Sequence, residues 1–201
     1  MTATIILYKI TALISLITFF YFGYDMKKRA DWKNLAPQKS TYIMKLMAIV
    51  LALTLIVTVV IMGEPKTLDY IALVLFITGA VLVKKAKTEL EKNNAFTWTG
   101  YVLEKPQLVT SGVYSYIRHP LYTGVYLTEI GGVFVVLGRT PHYFPQQYLW
   151  INAVLICVLF YAMFFNSILA KKESDNLLRI FGDDYKQYSQ NVHAFIPKLF
   201  K

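Results

Sequence analysis

The sequence predicts an all-α fold: an integral membrane helical bundle with about five transmembrane helices and a cytosolic C-terminal helical tail. Three observations carry that expectation. Hydrophobic residues make up 56% of the chain and charged residues 16%, with a mean hydropathy of +0.43, which is too little charge to clothe a soluble domain. Five apolar runs fall at roughly 3–22, 42–62, 68–83, 121–138 and 148–170, each near the ~20 residues that cross a hydrocarbon core as a helix. The basic residues between the runs are sorted by side.

The first run has a single basic residue, Lys9, before its apolar centre and ends in Phe19, Phe20, Tyr21 and Phe22 in place of small residues. It is therefore expected to remain as a span and not to be cleaved as a signal peptide. The connection 24–40 carries Lys27, Lys28, Arg29, Lys33 and Lys39, and only a short link with Lys66 separates the second and third runs. Segment 84–118 holds Phe96, Trp98, Tyr101, Val102, Leu108 and Val109. Too apolar for a solvated linker, it is expected to pack against the membrane face or over a ligand. In the fourth run Gly124, Gly131 and Gly138 recur every seven residues on one face, a spacing that permits close helix packing. Ile168, Leu177, Phe181, Tyr185 and Tyr188 predict that the fifth span continues beyond the membrane, breaks near Gly182 and resumes as a short helix.

Seventeen cations lie in 24–40, 84–118 and 171–201, whereas the alternate side holds Lys66 and Arg139. That asymmetry places the N-terminus outside and the C-terminus in the cytosol. The net charge of +9 is thus a sidedness signal, with attraction to anionic headgroups as a secondary effect, and nucleic acid is not an expected partner. A lone cysteine, Cys157, in an apolar run argues against disulfides, structural zinc and iron–sulfur clusters. No internal repeat or linker divides the chain, so 1–201 reads as one domain whose chemistry faces the cytosol; nothing in it defines an oligomeric state.

Special residues are densest at 107–124. Ser111-Gly112 suits a turn, and Pro120 suits the first turn of the fourth span, where a missing N–H costs nothing. His119 then stands at the helix entrance, where unpaired N–H groups and the positive dipole end favour an anionic group. The bland alternative is that Arg118 snorkels to headgroups, His119 caps the helix, and Tyr114, Tyr116 and Tyr122 form an interfacial belt. Glu129 is the least expected charge, because an intramembrane carboxylate costs several kcal/mol unless it faces the bundle interior, a water-filled cavity or a partner. It is a candidate substrate contact, with Asn152 and Asn166 as alternative partners. Glu173 lies about one turn beyond the membrane and faces His119 if the two cytosolic segments pack together; taken alone it also suits a solvated helix charge.

Two motifs, LVTSGVYSYIRHPLYTG at 108–124 and E-x3-L-x3-FGDDY-x2-Y at 173–188, followed by Phe195-Ile196-Pro197, resemble the isoprenylcysteine carboxyl methyltransferase family, within the wider group that includes phospholipid methyltransferases. The resemblance covers the C-terminal half, and the N-terminal spans, 3–83, share only their apolar character. It implies that S-adenosylmethionine is enclosed within 95–201. Leu108 and Val109, with Gln107 beside them, would contact the cofactor through backbone and apolar packing, and Tyr114 would pack beside it. His119, Pro120 and Tyr122 would surround its methionine and adenosine parts, and Glu173 would bind it from the tail. A methyl group would pass from a sulfonium to a lipophilic acceptor entering from the bilayer, with no metal and no protein nucleophile.

Two departures bear on the acceptor. The family arginine that orients a substrate carboxylate, four residues before the tail glutamate, is here Leu169, and Ala194 stands where many relatives have an arginine before the final Ile-Pro. Lys171, Lys172 and His193 are candidates to compensate, Lys172 as a substrate contact. The open alternatives are a thiol, a phenolic or enolic lipid or a phospholipid amine as acceptor; a sterol-reductase-like enzyme using a nicotinamide cofactor; and a membrane scaffold without turnover.

Overall fold

The computed structural model describes residues 2–23, 32–95, 101–143 and 149–197, with side chains throughout except at positions 32, 137, 139–143, 149, 151 and 152. Lys27, Lys28, Arg29, Phe96 and Trp98 lie outside the described residues, as do the side chains of Arg139 and Asn152.

Five long helices account for most of the chain: α1 (Ala3–Gly23), α2 (Gln38–Ile61), α3 (Thr67–Lys92), α4 (Pro120–Tyr143) and α5 (Leu149–Phe181). A short α6 (Asp183–Asn191) follows. Among the described residues α1, α2, α3 and the stretch Ala153–Phe181 of α5 are long and apolar enough to cross a membrane. The fourth expected span has the length, 24 residues, and among the residues whose side chains are described its apolar stretch is Pro120–Val136.

Two helices run further than their apolar runs. α3 continues nine residues past the run ending at Val83, and its extension supplies Glu89 and Leu90 to the region beneath the fourth helix's entrance. α5 continues from Ala170 through Lys171, Lys172 and Glu173 to Phe181. The helix breaks at Gly182, whose φ of +52° is a left-handed conformation that favours glycine, and α6 resumes at once. The expected continuation, break and restart of the tail are all present.

Two sets of apolar residues divide the work. Leu16, Val59, Met62, Phe76 and Val135 are buried in one core cluster among the helices. Leu7, Ile14 and Ile17 on α1, Leu53 and Val57 on α2, Val74 on α3, and Phe160 and Phe164 on α5 are exposed, as a lipid-facing surface requires. Lys9 directs its ammonium to the Val60 carbonyl, 2.7 Å away at the end of α2, so the one cation of α1 satisfies an unpaired helix-terminal carbonyl.

α3 and α4 approach most closely, and glycines set that approach. A Cβ at Gly124 would lie 2.5 Å from Val83 Cγ2 and 2.9 Å from the Gly79 carbonyl oxygen; one at Gly131 would lie 2.8 Å from Phe76 Cε1. Among the described residues Gly138, third in the series, meets only ordinary van der Waals contact, with Leu68 at 3.8 Å. The N-terminal half also reaches the other half by backbone pairing. β1 (Trp32–Asn34) runs antiparallel to β2 (Tyr101–Leu103) with Lys33 opposite Val102, tying the first connection to the segment that leads into the site.

Candidate functional site

The segment between β2 and α4 is shaped by its own turn chemistry. Ser111 donates to the Glu89 carboxylate at 2.5 Å, and Gly112 takes a φ of +59° where a Cβ would meet that carboxylate at 2.8 Å. A single 3-10 turn, Gly112–Ser115, follows and buries Tyr114 against Ala86, Ala95 and Val109.

The backbone at 117–119 is then held by the far end of the chain. Ile117 and His193 form a parallel bridge, the Arg118 and His119 N–H groups donate to the carbonyls of His193 and Ala194, each at 2.9 Å, and the Thr123 hydroxyl donates to the Phe195 carbonyl at 3.0 Å. Ala194 contributes its carbonyl. Arg118 does not snorkel: Nε donates to the Val192 carbonyl at 2.9 Å and Nη1 to the Tyr185 hydroxyl at 3.1 Å. Tyr188 closes the loop by donating to the Tyr114 carbonyl at 2.6 Å.

These tethers border a cavity at the end of the bundle. Gln107, Leu108, Val109, Tyr114, His119, Tyr122 and Glu173 all line it. Pro120 does not; it is fully buried as the first residue of α4. Lys172 faces a separate surface depression with Leu35, Asp175 and Arg179, and Glu129 lies deeper, on another cavity. Residue chemistry alone missed Leu90, Arg118, Asn176, Leu177, Tyr185 and Tyr188 as lining residues. Spacing held the signal for two of them, since Asn176 and Leu177 stand three and four residues after Glu173 on one helix face.

His119 is the pivot. Its Nε2 lies 2.8 Å from Ser174 Oγ and its Nδ1 3.8 Å from Glu173 Oε2, while its ring meets Tyr122 edge-on at 5.7 Å. Burial, then the neighbouring Arg118 charge, pushes its pKa down to about 3, so the ring is neutral near pH 7 and its approach to Glu173 is no ion pair. Burial also raises the pKa of Tyr114 well above the usual phenol range, with Glu173 and Tyr188 adding to the effect. The Tyr122 hydroxyl lies close to the Glu173 carboxyl.

Glu173 thus keeps 31% of its side chain exposed and meets no charged partner among the described residues, because Arg118 is committed to Val192 and Tyr185. The cavity's lining combines polar and acidic groups (Glu173, Asn176, Gln107, with neutral His119) with apolar or aromatic ones (Leu90, Leu108, Val109, Leu177, Tyr114). Such a set suits a ligand with an ammonium group at one end and a flat apolar ring at the other.

A helical membrane protein with an amphiphilic ligand cavity at one end of the bundle is the class that fold and site define. The family model described as phospholipid methyltransferase matches residues 68–184, more than half of the chain and most of the cavity wall, and the chain belongs to that family. It is 31% identical over 92 residues to the protein-S-isoprenylcysteine O-methyltransferase of Schizosaccharomyces pombe, covering 46% of this chain and 34% of that protein. It is 29% identical over 134 residues to the enzyme of that name from Xenopus laevis, covering 65% and 41%, and 26% identical over 129 residues to a probable one from Oryza sativa subsp. indica, covering 64% and 61%. The chain therefore spans between about a third and three-fifths of the length of these curated relatives.

Proposed function

We propose that this protein is an integral membrane methyltransferase, oriented with its N-terminus outside, which takes S-adenosylmethionine from the cytosol and methylates a lipophilic acceptor drawn from the bilayer. The observation that carries this reading is the joining of both sequence motifs in one cavity, with the Glu173 carboxylate open to it. Its donor set fits the cofactor: Glu173 and Asn176 suit the methionine ammonium, and Leu108, Val109 and Leu177 suit the adenine ring. When bound, S-adenosylmethionine supplies an electrophilic methyl on a sulfonium. The chain's contribution is to orient and to exclude water. Neutral His119, held by Ser174, fixes the wall beside Glu173, and the Tyr114, Tyr122 and Tyr188 rings keep the site poor in water, where alignment and desolvation favour an anionic acceptor.

Titration calorimetry of the purified protein with S-adenosylhomocysteine is the direct test, and absence of binding at millimolar ligand sinks the reading. Glu173→Ala is expected to weaken that binding roughly ten- to hundred-fold, the worth of one charge-assisted hydrogen bond, with His119→Ala in the same direction and exposed Lys39→Ala without effect.

For the acceptor, Leu169 favours a departure from prenylcysteine carboxylates. It is 1% exposed and packed with Ala36, Tyr122 and Ala170, so the position offers an acceptor no cation. A thiol, a phenolic or enolic lipid, or a phospholipid amine fits better, and a labelled-methyl assay across those classes and a prenylcysteine discriminates among them.

A further inference from the structure

A surface depression lies where the start of α2 meets β2, lined by Gln38, Lys39, Tyr42, Lys45 and Tyr101. None of these is acidic, and among the described residues neither Lys39 nor Lys45 forms an ion pair with a carboxylate. Lys33, on the neighbouring strand, is paired with Glu104 at 3.8 Å. Lys39 is exposed. Lys45 is half-buried, since it also borders the deeper cavity formed by α1, α2, α4 and α5, and its ammonium sits 5.1 Å over the Tyr101 ring. An ammonium over a ring is attracted to its face but keeps N–H donors for an oxygen anion.

Helix register gives the depression a direction. Gln38, Tyr42 and Lys45, four and three residues apart, share one face of α2. From Tyr42 the same spacing continues through Leu46, Ile49 and Leu53, all exposed and apolar, a stripe of about 16 Å along the helix. An acyl chain can lie along such a stripe, which offers a soluble anion nothing. Tyr101 belongs to β2, whose next residues, Val102 and Leu103, line the first cavity. The depression is therefore at that end of the bundle, which in the orientation proposed above meets the anionic cytosolic leaflet.

We propose that this depression is the headgroup site of an anionic phospholipid: Lys39 and Lys45 take the phosphate, and one acyl chain runs down α2 past Tyr42, Leu46, Ile49 and Leu53. A zwitterionic lipid carries the same phosphate, but its ammonium finds no carboxylate in this lining and lies beside two cations. The bound headgroup joins α2 to β2 across the contact of Lys45 with Tyr101. Neither lysine lines the first cavity, so the site stands apart from the methyltransferase reading.

The test uses the full-length protein in phosphatidylcholine nanodiscs at physiological ionic strength, where charges more than about 8 Å apart are largely screened and a preference reports local contact. The nanodiscs carry equal small amounts of photoreactive phosphatidylglycerol or photoreactive phosphatidylcholine, each with a diazirine on one acyl chain, and labels are mapped by mass spectrometry. Phosphatidylglycerol is expected to label the peptide bearing Leu46, Ile49 and Leu53 about ten-fold more than phosphatidylcholine does, the discrimination two lysines give at an anionic headgroup. Lys39→Ala combined with Lys45→Ala is expected to make the two lipids equal. If that protein does not fold, Lys39→Ala alone, at an exposed position, is expected to lower the preference about three-fold. Lys39→Arg with Lys45→Arg keeps both charges and the preference; Lys85→Ala with Lys186→Ala removes two exposed cations elsewhere and also keeps it. Equal labelling of that peptide by both lipids, or a preference that survives loss of the two lysines, overturns the site. So does loss of the preference in the Lys85 and Lys186 control, which marks a general attraction to the basic end of the protein. Suppression of the phosphatidylglycerol label by millimolar glycerol 3-phosphate assigns the depression to a soluble phosphate and overturns the lipid.

Discussion

At the scale of single residues, His119 and Arg118 show how burial converts ordinary side chains into fixed parts. His119 has a folded-state pKa of about 3 against an ordinary 6.5, so an unfolded chain binds the proton first as pH falls. Its contribution to stability is fully present above about pH 6.5 and is lost progressively towards pH 3. The thermal midpoint in detergent is therefore expected to fall on acidification, with a shallower fall in His119→Asn. Arg118→Lys is expected to cost about 1–3 kcal/mol, because an ammonium cannot serve the Val192 carbonyl and the Tyr185 hydroxyl with the same fork; a chemical denaturation series measures it. The sequence made the pairing of His119 with Glu173 legible through two motifs about 50 residues apart. Arg118 was not legible as a tether, since its acceptors are a backbone carbonyl and a hydroxyl that no residue-type pattern marks.

At the scale of elements, the α3–α4 contact offers a paired prediction. Gly124→Ala forces a Cβ against Val83 and the Gly79 carbonyl and is expected to destabilise by about 1–3 kcal/mol. Gly138→Ala meets, among the described residues, nothing nearer than Leu68 at 3.8 Å and is expected to be neutral or stabilising by up to about 1 kcal/mol, since alanine outperforms glycine within a helix. Comparison of the two melting points in one detergent checks both. A regular glycine spacing was visible in the sequence, but which glycines touch a partner depends on where two helices diverge. Helix existence followed from apolar runs; helix ends did not, because α3 and α5 continue on charged residues such as Lys84, Lys85, Lys171 and Lys172, which have good helix propensity and no apolar signal. For the same reason Lys172, adjacent to Glu173 in sequence, points to a different surface: one residue along a helix is a turn of about 100°.

At the scale of the whole molecule, the N-terminal half is more than an anchor. It contributes the β1 strand that pairs with β2, and α1 and α2 supply much of the deeper cavity, neither of which has a sequence signal stronger than apolarity. Removing residues from Val192 onward is expected to leave the five long helices inserted but to abolish S-adenosylhomocysteine binding, because Arg118, His119 and Thr123 lose their partners at 192–195 together; protease-protected fragments and calorimetry on the shortened protein read the two effects separately. That dependence also sets an order of events during synthesis. The strip at 117–119 emerges from the ribosome more than seventy residues ahead of the segment that grips it, so the helices enter the bilayer while the site is still open. Ligand competence is thus expected to be a late step of biogenesis, reached after translation has passed Phe195, and a nascent chain arrested before that point is expected to be inserted without binding S-adenosylhomocysteine.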